Sequence, residues 1–322
     1  MKTKLLAVMA TLGMVASASA VKVNNNLSIN GFIDGSYASS DDGVSKSQSL
    51  EVDEVELNFV VNVGNVSGLL SIDRGISDDN GGTNTIDETA IEIEQAHFTY
   101  NINDAVSVTF GRYGSALGFE REDPAGLYTY SRAYDSSDFN FGDIDAGTLN
   151  GNVYEGLTIA YSADAYSLAV SLQNDAGQEA NLETNDLDFE ISFTYTGIAG
   201  VNIGGGFRID NEATAATETD AVNLHVSRQF GKLLLAGEYS ELDNNGADSD
   251  AYMILADYDV NNKLGVALRL SSEEKANGDF DKFTIAPNYA ITESLGAILE
   301  YSDVDDEGQD SEEYAVELTY TF

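Results

Sequence analysis

Apolar and polar residues alternate with a period of two along most of this chain. Residues 54–63 read EVELNFVVNV and residues 187–195 read LDFEISFTY. Successive side chains of a strand point to opposite faces, so the pattern predicts strands with one apolar and one polar face. The alternation shifts by one residue near Glu94 and Gln95, which predicts a β-bulge. Counted in this way, the sequence predicts sixteen strands and an all-β fold.

The predicted strands are joined alternately by short turns and by longer acidic loops. Gly64-Asn65 and Asn261-Asn262 are two of the short turns, whereas the acidic clusters Asp248–Asp250 and Asp303–Asp310 fall in predicted loops. Tight turns at one end and long loops at the other are typical of barrels in bacterial outer membranes. We therefore predict a transmembrane antiparallel up-and-down β-barrel of sixteen strands.

The direction of the two faces distinguishes this barrel from a soluble, secreted lectin-like sandwich, which would turn its apolar face inward. Carboxylates recur in mid-strand, where a dry core would not tolerate them. Aromatic residues lie near strand ends, as in the aromatic girdles of membrane barrels. Both features favour apolar side chains toward lipid and polar side chains toward a water-filled lumen. The mid-strand carboxylates are Glu190, Glu238, Glu300 and Glu317.

The first twenty residues have the pattern of a secretory signal peptide. Lys2 and Lys4 precede an apolar run that is too short to span a bilayer as a helix, and Ala18-Ser19-Ala20 fits the cleavage pattern. We expect residues 1–20 to be removed on export and residues 21–322 to form the barrel. No later apolar run approaches the length of a membrane-spanning helix.

Composition excludes several kinds of chemistry. The formal net charge is −40, which argues against nucleic acid as a partner because phosphate binding needs basic patches. Without cysteine there is no disulfide or thiolate. His97 and His225 lie in predicted strands, without a nucleophile pattern or metal-ligand spacing. We assign no catalytic residue, cofactor or metal site, and expect only loosely bound Ca²⁺ or Mg²⁺ at the external acidic loops.

Alternation stops after the fifth predicted strand. Residues 113–150 are rich in glycine, aromatic and charged residues, and they include Pro124. A loop of this length within a compact domain is usually functional. It lies on the long-loop side, as the third external loop of a barrel wide enough to hold an aqueous channel. We predict that it folds into the lumen.

The C-terminal strand carries a first resemblance. Residues 313–322 read EYAVELTYTF and end on a phenylalanine after alternating apolar residues. This resembles the C-terminal signature of outer-membrane proteins, which the barrel-assembly machinery recognises. The resemblance implies that Tyr320 and Phe322 act as the assembly signal.

Four further segments resemble a β-barrel porin family of Gram-negative bacteria. They are IEQAHFTY (93–100), VTFGR (108–112), GFE (118–120) and YSR (130–132). The general diffusion porins are the neighbouring family, whose S-R-x-G-F motif after the first hairpin is missing here. The resemblance implies a water-filled channel for small hydrophilic solutes and ions, usually homotrimeric, in contact with outer-membrane lipid and lipopolysaccharide.

In porins the third external loop narrows the channel, so the resemblance makes charged residues of the loop and wall candidates for a constriction. Each could instead pair within the loop or face solvent. The acidic side would comprise Glu120, Glu122, Asp123, Asp135 and Asp138. The basic wall would comprise Arg74, Arg112, Arg132, Arg208, Arg269 and Lys282.

Acidic groups outnumber basic ones, so we predict a porin that prefers cations. We predict that it is not an enzyme. The first alternative is a non-conducting outer-membrane barrel with a structural, adhesive or surface-binding role. The second is a barrel enzyme, such as a lipase or a protease, that uses His97 or His225.

Overall fold

The computed structural model describes residues 20–75, 91–121, 124–135, 139, 153–174, 187–209, 211, 220–244, 247–275 and 278–322. Within these ranges no helix is long and apolar enough to cross a membrane. The strands are β1 (Val21–Lys22), β2 (Leu27–Asp41), β3 (Lys46–Val63), β4 (Val66–Gly75), β5 (Glu92–Asn101), β6 (Val106–Gly114), β7 (Val153–Ser162), β8 (Tyr166–Gln173), β9 (Asp188–Tyr195), β10 (Val201–Ile209), β11 (Asp220–Phe230), β12 (Leu233–Asn244), β13 (Ala247–Asp259), β14 (Leu264–Lys275), β15 (Gly278–Ala290), β16 (Leu295–Asp306) and β17 (Gln309–Thr321).

Strands β2 to β17 form a closed antiparallel barrel of sixteen strands. Each pairs with the next along the chain, and β17 pairs with β2, where Tyr320 lies opposite Ile33. The two residues of β1 pair with β2. Closure leaves no open edge, as a sheet in lipid requires, because lipid offers no hydrogen-bond partner to unpaired backbone groups. The predicted sixteen-stranded up-and-down barrel is confirmed.

The outer face of the barrel is apolar and the inner face is mostly polar. In β11, Val222 and Leu224 are 48% and 50% exposed, whereas Asn223 between them is 2% exposed. The same alternation recurs around the barrel, so exposed apolar side chains form a continuous belt. Such a belt would be unfavourable in water and suits the hydrocarbon of a bilayer. The predicted direction of the two faces is confirmed.

Several strands extend further than the sequence predicts. Strand β16 runs to Asp306 and β17 begins at Gln309, so most of Asp303–Asp310 lies in strands and not in a loop. Asp248–Asp250 likewise belongs to β13. The ladder between β16 and β17 continues until Asp306 lies opposite Gln309. Backbone pairing beyond the apolar belt outweighs the low strand propensity of aspartate, because the carboxylates remain near water.

The break in alternation near Glu94 and Gln95 is a β-bulge, as predicted. Ser71 lies opposite Gln95 and Ile72 opposite Ile93, which leaves Glu94 as the extra residue of β5. Glu94 and Gln95 are both buried. Ser71 Oγ donates a hydrogen bond to Glu94 Oε2 over 2.8 Å. The bulge thus keeps Ile93 on the outer face while two successive polar residues turn inward.

The last residue of the chain takes part in barrel closure. Phe322 N donates to the Gly31 carbonyl over 3.0 Å, and Gly31 N donates to the Phe322 carbonyl over 3.1 Å. A Cβ at Gly31 would lie 2.1 Å from the Glu56 carbonyl oxygen and 3.1 Å from the Phe322 ring. Tyr320 and Phe322 therefore belong to the seam, and their recognition by the assembly machinery stays a prediction.

We expect Gly31→Ala to weaken this seam, because the added methyl group would collide with the Glu56 carbonyl. Overpacking of this kind costs about 1–3 kcal/mol. The measurement is the temperature at which the folded barrel loses its characteristic gel mobility in detergent. Gly296→Ala is the matched control, since nothing lies within 4 Å of a Cβ at Gly296. If both variants lost their folded gel mobility at the same temperature, this account of the seam would be wrong.

Candidate functional site: the loop between β6 and β7

The chain between β6 and β7 is hydrogen-bonded to several distant strands. Strand β6 runs to Gly114, so the first two residues of the predicted loop 113–150 belong to the strand. Side chains on the inner face of five strands accept hydrogen bonds from the loop. These bonds are Ser115 Oγ to Glu190 Oε2 in β9 (2.7 Å), Gly118 N to Asn223 Oδ1 in β11 (3.2 Å), Phe119 N to Glu238 Oε1 in β12 (2.7 Å), Asp135 N to Glu273 Oε1 in β14, and Ser131 N to Glu300 Oε2 in β16 (3.2 Å).

The mid-strand carboxylates therefore have a role that alternation alone does not predict. Glu190, Glu238 and Glu300 are inward-facing and buried, as expected of polar residues on the inner face. Their partners, however, are N–H and O–H groups of the loop. Hydrogen bonds to a charged acceptor are stronger than those between neutral groups. These side chains hold the loop as well as lining the wall.

Arg269 of β14 is the centre of the polar contacts. Its Nη1 lies 2.8 Å from Glu120 Oε1 and donates to Thr129 Oγ1 over 2.8 Å. Its Nη2 donates to Ser131 Oγ over 3.1 Å and to the Arg132 carbonyl over 2.7 Å. The Arg269 side chain is fully buried, and Glu120 is 6% exposed. One rigid guanidinium thus joins two separate parts of the loop to the same strand.

Apolar side chains of the loop pack on an apolar patch of the inner wall. Residues 251–256 of β13 read AYMILA, so this strand is apolar on both faces. That unbroken run is the sequence signal of the docking patch, and a pattern of alternation does not reveal it. The buried cluster contains Leu117, Ala133, Tyr134 and Phe139 from the loop, and Ala221, Ala236, Leu242, Ala251, Met253, Leu255, Ala267 and Ala286 from β11 to β15.

Glycines in β10 make room for the loop at its first contact with the wall. A Cβ at Gly206 would lie 2.9 Å from Leu117 Cδ2, and one at Gly204 would lie 2.3 Å from His225 Nε2. The His225 ring lies 6.0 Å from the ring of Phe119. Gly204 and Gly206 therefore permit close approach of a side chain from the next strand and of one from the loop, respectively.

Tyr130 extends the contacts of the loop past β16 and β17 to β2. Ser36 Oγ of β2 donates to the Tyr130 hydroxyl over 3.1 Å. Burial raises the pKa of Tyr130 to about 12. The phenol therefore stays protonated at neutral pH and keeps a hydrogen to donate.

Cavities lie on both sides of the loop. Toward the long-loop end, a cavity of about 430 Å³ is lined by Tyr130 and by Gln48 of the β2–β3 hairpin. Toward the short-turn end, Tyr128 lines two cavities of about 500 and 380 Å³, together with Ile198 in one and Thr292 in the other. The loop stands between these spaces.

Of the residues predicted for the acidic side of the constriction, only Glu120 and Asp135 lie within the described part of the chain. Glu120 pairs with Arg269, and its Oε2 also accepts from Ala133 N over 3.0 Å. Asp135 contributes its backbone N–H to the anchoring, and its side chain is exposed. Glu122, Asp123 and Asp138 lie outside the described residues. The described part of the loop therefore does not show a row of carboxylates that are available to line a channel.

The residues predicted for the basic wall lie at separate places in the barrel. Arg208 of β10 donates to the hydroxyl of Tyr154 in β7. Lys282 of β15 lies 3.2 Å from Glu313 of β17, which is 40% exposed. Arg132 belongs to the loop and donates to the Glu120 carbonyl. These side chains face the interior but engage partners instead of forming one wall across a channel.

One of the predicted basic residues does not face the interior, and the side chain of another lies outside the described part. Arg112 lies opposite Ala96, in register with the outward-facing Phe110, so its residue belongs to the outer face. Its Nε donates to the Glu94 carbonyl over 3.0 Å. The shift has a simple cause, because β6 continues past Phe110 with its alternation intact. Arg74 lies at the end of β4 opposite Val55, and its side chain is outside the described part.

The histidines belong to no metal-binding group in the part of the chain that is described. His97 is buried in β5 with its ring edge-on to Tyr113 at 6.4 Å. His225 Nδ1 lies 3.2 Å from Asn223 Oδ1. Among the described residues, no group of three or more His, Asp or Glu side chains is arranged to hold a metal ion.

We expect Arg269→Met to release the loop, because it leaves Glu120 buried without its positive partner. Breaking a buried pair costs about 3–5 kcal/mol. Lys282→Met is the matched control: its partner Glu313 is 40% exposed, and exposed pairs contribute about 0–1 kcal/mol. Proteolytic cleavage within 118–135 of the folded barrel measures loop release. Equal cleavage of the two variants would sink the anchoring role.

Comparison with known proteins identifies the fold. No protein-family model matches the sequence, and no curated protein matches it. Salmonella typhi OmpF, in complex with daunomycin, is 14% identical with a TM-score of 0.67, over 94% of this chain and 100% of that chain. An anion-selective porin from Comamonas acidovorans is 12% identical with a TM-score of 0.65, over 92% and 99%.

The trimer form of OmpT from Vibrio cholerae is 15% identical with a TM-score of 0.59, over 92% of this chain and 99% of that chain. Identities this low establish the fold alone, and they do so over nearly the whole length of each protein. The predicted resemblance to porins is confirmed at this level. The chain is a transmembrane β-barrel with the fold of the outer-membrane porins.

Proposed function

We propose that this protein is an outer-membrane porin through which small hydrophilic solutes and ions diffuse passively, with the loop between β6 and β7 folded into the lumen as its constriction. One observation carries the proposal. Loop residues within 115–135 bond to the inner faces of β9, β11, β12, β14 and β16, and through Tyr130 to β2. These strands cover more than half of a closed barrel, and so short a segment reaches them all only from inside.

In this proposal, solutes pass between the loop and the inner faces of β3 to β8. The four hydroxyl side chains named next are buried on those faces and make that part of the inner wall polar. Thr99 and Thr109 are hydrogen-bonded to one another over 2.7 Å, and Thr158 and Ser171 over 2.8 Å. Hydroxyl groups both donate and accept hydrogen bonds, so such a wall suits water and neutral hydrophilic solutes without fixing a charge preference.

A preference for cations is part of the proposal, and the described charges support it. Arg269 and Lys282 are neutralised by Glu120 and Glu313. Among the described residues, ten carboxyl side chains are buried on the inner faces of the strands, against three basic ones. The unbalanced interior charge is therefore negative. One solved structure of the same fold is described as an anion-selective porin, so the sign must follow from side chains and not from the fold.

The reversal potential in a potassium chloride gradient across a planar bilayer tests this preference. We expect its sign to indicate faster passage of K⁺ than of Cl⁻. The preference should grow as ionic strength falls, because salt screens the interior charges less. A reversal potential of the opposite sign would refute the cation preference while leaving the pore itself intact.

Deletion of residues Gly118–Asp138 tests the constriction. We expect a larger single-channel conductance, because the deleted segment would otherwise occupy part of the cross-section. The Arg269→Met variant, which keeps all the atoms of the loop, should instead show a noisier current with a smaller change in its mean. Gel mobility before and after heating verifies that each barrel is folded. An unchanged conductance in the folded deletion variant would show that the loop is not the constriction.

The proposal includes partners of the barrel, namely further copies of the chain, lipid and the assembly machinery. One matched OmpT structure is a trimer form, which supports a homotrimer here. The exposed apolar belt supports contact with outer-membrane lipid, and lipopolysaccharide would meet the acidic long-loop end, with loosely bound divalent cations between them. The seam position of Phe322 supports its reading by the barrel-assembly machinery. Folded protein without stepwise conductance would favour the alternative, a structural or adhesive barrel.

A further inference from the structure

Three basic side chains lie on neighbouring hairpins at the short-turn end of the barrel. Arg228 belongs to β11 and is in register with the outward-facing Val226. Lys232 lies in the turn between β11 and β12, and Lys263 lies in the turn between β13 and β14. All three residues are exposed. We call Arg228, Lys232 and Lys263 the basic rim.

The two lysines of the basic rim occupy equivalent positions. Each directly precedes the strand that follows its turn, β12 or β14, and each reaches across to the next hairpin. Lys232 Nζ donates a hydrogen bond to the Val260 carbonyl over 2.9 Å, and Lys263 Nζ donates to the Ile291 carbonyl over 3.1 Å. An ammonium group has three N–H donors, so each lysine keeps two donors for another partner.

Among the short turns of the barrel, only these two carry a basic residue. The turns that precede β6 and β8 carry Asp104 and Asp164 instead. The positive groups are therefore concentrated on β11 to β14, in a chain whose formal net charge is −40. The residues that correspond to the two lysines in the other short turns are uncharged, namely Asn65, Ala105, Ala165, Gly200 and Ser294.

No carboxylate neutralises the basic rim within the described part of the chain. None of its three side chains forms an ion pair there. Asp257 and Asp259 alternate with the outward-facing Tyr258 in β13, so both belong to the inner face. Glu293 lies in the turn that Lys263 reaches, but the two side chains do not pair. The outer surface at this place thus presents positive charge that the protein itself does not compensate.

Aromatic rings place the basic rim at the depth of lipid head groups. Arg228 Cζ lies 4.5 Å from the centre of the Phe230 ring, and Lys263 Nζ lies 5.8 Å from the centre of the Tyr289 ring. Both rings face outward and are about half exposed. Aromatic side chains of membrane barrels gather at the level of the head groups, and the cations above these rings share that level. Short turns of such barrels lie on the periplasmic side.

We propose that the basic rim binds the phosphate groups of anionic phospholipids in the periplasmic leaflet of the outer membrane. A guanidinium binds phosphate through two parallel N–H bonds, and an ammonium group acts as a compact positive charge. Zwitterionic phospholipids are disfavoured, because their own cationic group is repelled by the basic rim. Anionic lipids would thus gather beside β11 to β14.

The inference rests on the lipid contact that is part of the proposed function, and it is independent of conduction. Lipopolysaccharide also carries phosphate, but it would meet the long-loop end, at the opposite side of the membrane.

Quenching of tryptophan fluorescence by brominated lipids tests the proposal, because the chain has no tryptophan of its own. Tyr258→Trp places one fluorophore beside the basic rim, since Tyr258 faces outward opposite Leu233, the residue after Lys232. Tyr161→Trp is the matched control, because Tyr161 also faces outward at the short-turn end but lies next to the turn with Asp164.

Each full-length variant is reconstituted in phosphatidylcholine that contains increasing amounts of brominated phosphatidylglycerol, and brominated phosphatidylcholine gives the reference. Gel mobility before and after heating verifies folding. We expect phosphatidylglycerol to bind about fivefold or more tightly than phosphatidylcholine at Tyr258→Trp, and with no preference at Tyr161→Trp. High salt should remove the preference. Equal lipid preferences at the two positions would overturn the proposal. So would a lack of quenching by either lipid at Tyr258→Trp, since another copy of the chain would then cover the basic rim.

Removal of the two lysines locates the site. In the Tyr258→Trp barrel, Lys232→Gln with Lys263→Gln should lower the preference for phosphatidylglycerol by about fivefold or more, because each cation near a membrane surface contributes to the binding of anionic lipid. Lys46→Gln is the control, because it removes an exposed lysine at the long-loop end. An unchanged preference in the folded double variant would show that the basic rim does not bind the lipid.

The outcomes separate this site from the proposed function. A barrel that conducts ions but shows no preference for phosphatidylglycerol would refute the lipid site and keep the porin. A barrel that prefers phosphatidylglycerol but never conducts would refute the porin and keep the lipid site, because quenching does not depend on an open path through the membrane.

Discussion

The pairing of every backbone N–H with a carbonyl is the constraint from which the other features follow. Hydrocarbon offers these groups no partner, so the sheet must close on itself. Closure happens between β17 and β2, where Gly31 leaves room for the terminal Phe322. Sixteen strands then enclose more space than wall side chains can fill, and we propose that the loop between β6 and β7 occupies part of it.

The interior uses charge mainly to hold structure. Arg269 and Glu120 neutralise one another inside the barrel, and Glu238 and Glu300 accept hydrogen bonds from the loop. The carboxylates that the loop does not bind include Glu317 of β17, the strand next to the one that holds Glu300. The net charge of the interior is therefore set by the carboxylates that the loop does not bind. A count of the acidic and basic residues in the sequence does not predict it.

The fold followed closely from the sequence because lipid on one side and water on the other impose a strict alternation. Even the bulge at Glu94 was readable as a shift of one residue. Strand ends were not, because the ladder continues through acidic segments such as Asp303–Asp306. The roles of charged residues were hardest to predict. Sequence gives the identity of Arg112 and Arg269 but neither the face of the first nor the partners of the second.

The apolar patch on the inner face of β11 to β15 ties the loop to one particular wall. Met253 and Leu255 face the interior of a barrel whose inner wall is elsewhere mostly polar, and they belong to one buried cluster with Leu117 and Phe139. Grafting this loop into another barrel would leave its apolar side chains against a wet wall. Grafting a foreign loop here would strand the patch in water. Loop and patch are thus inherited as one unit, and exchange between related barrels must carry both.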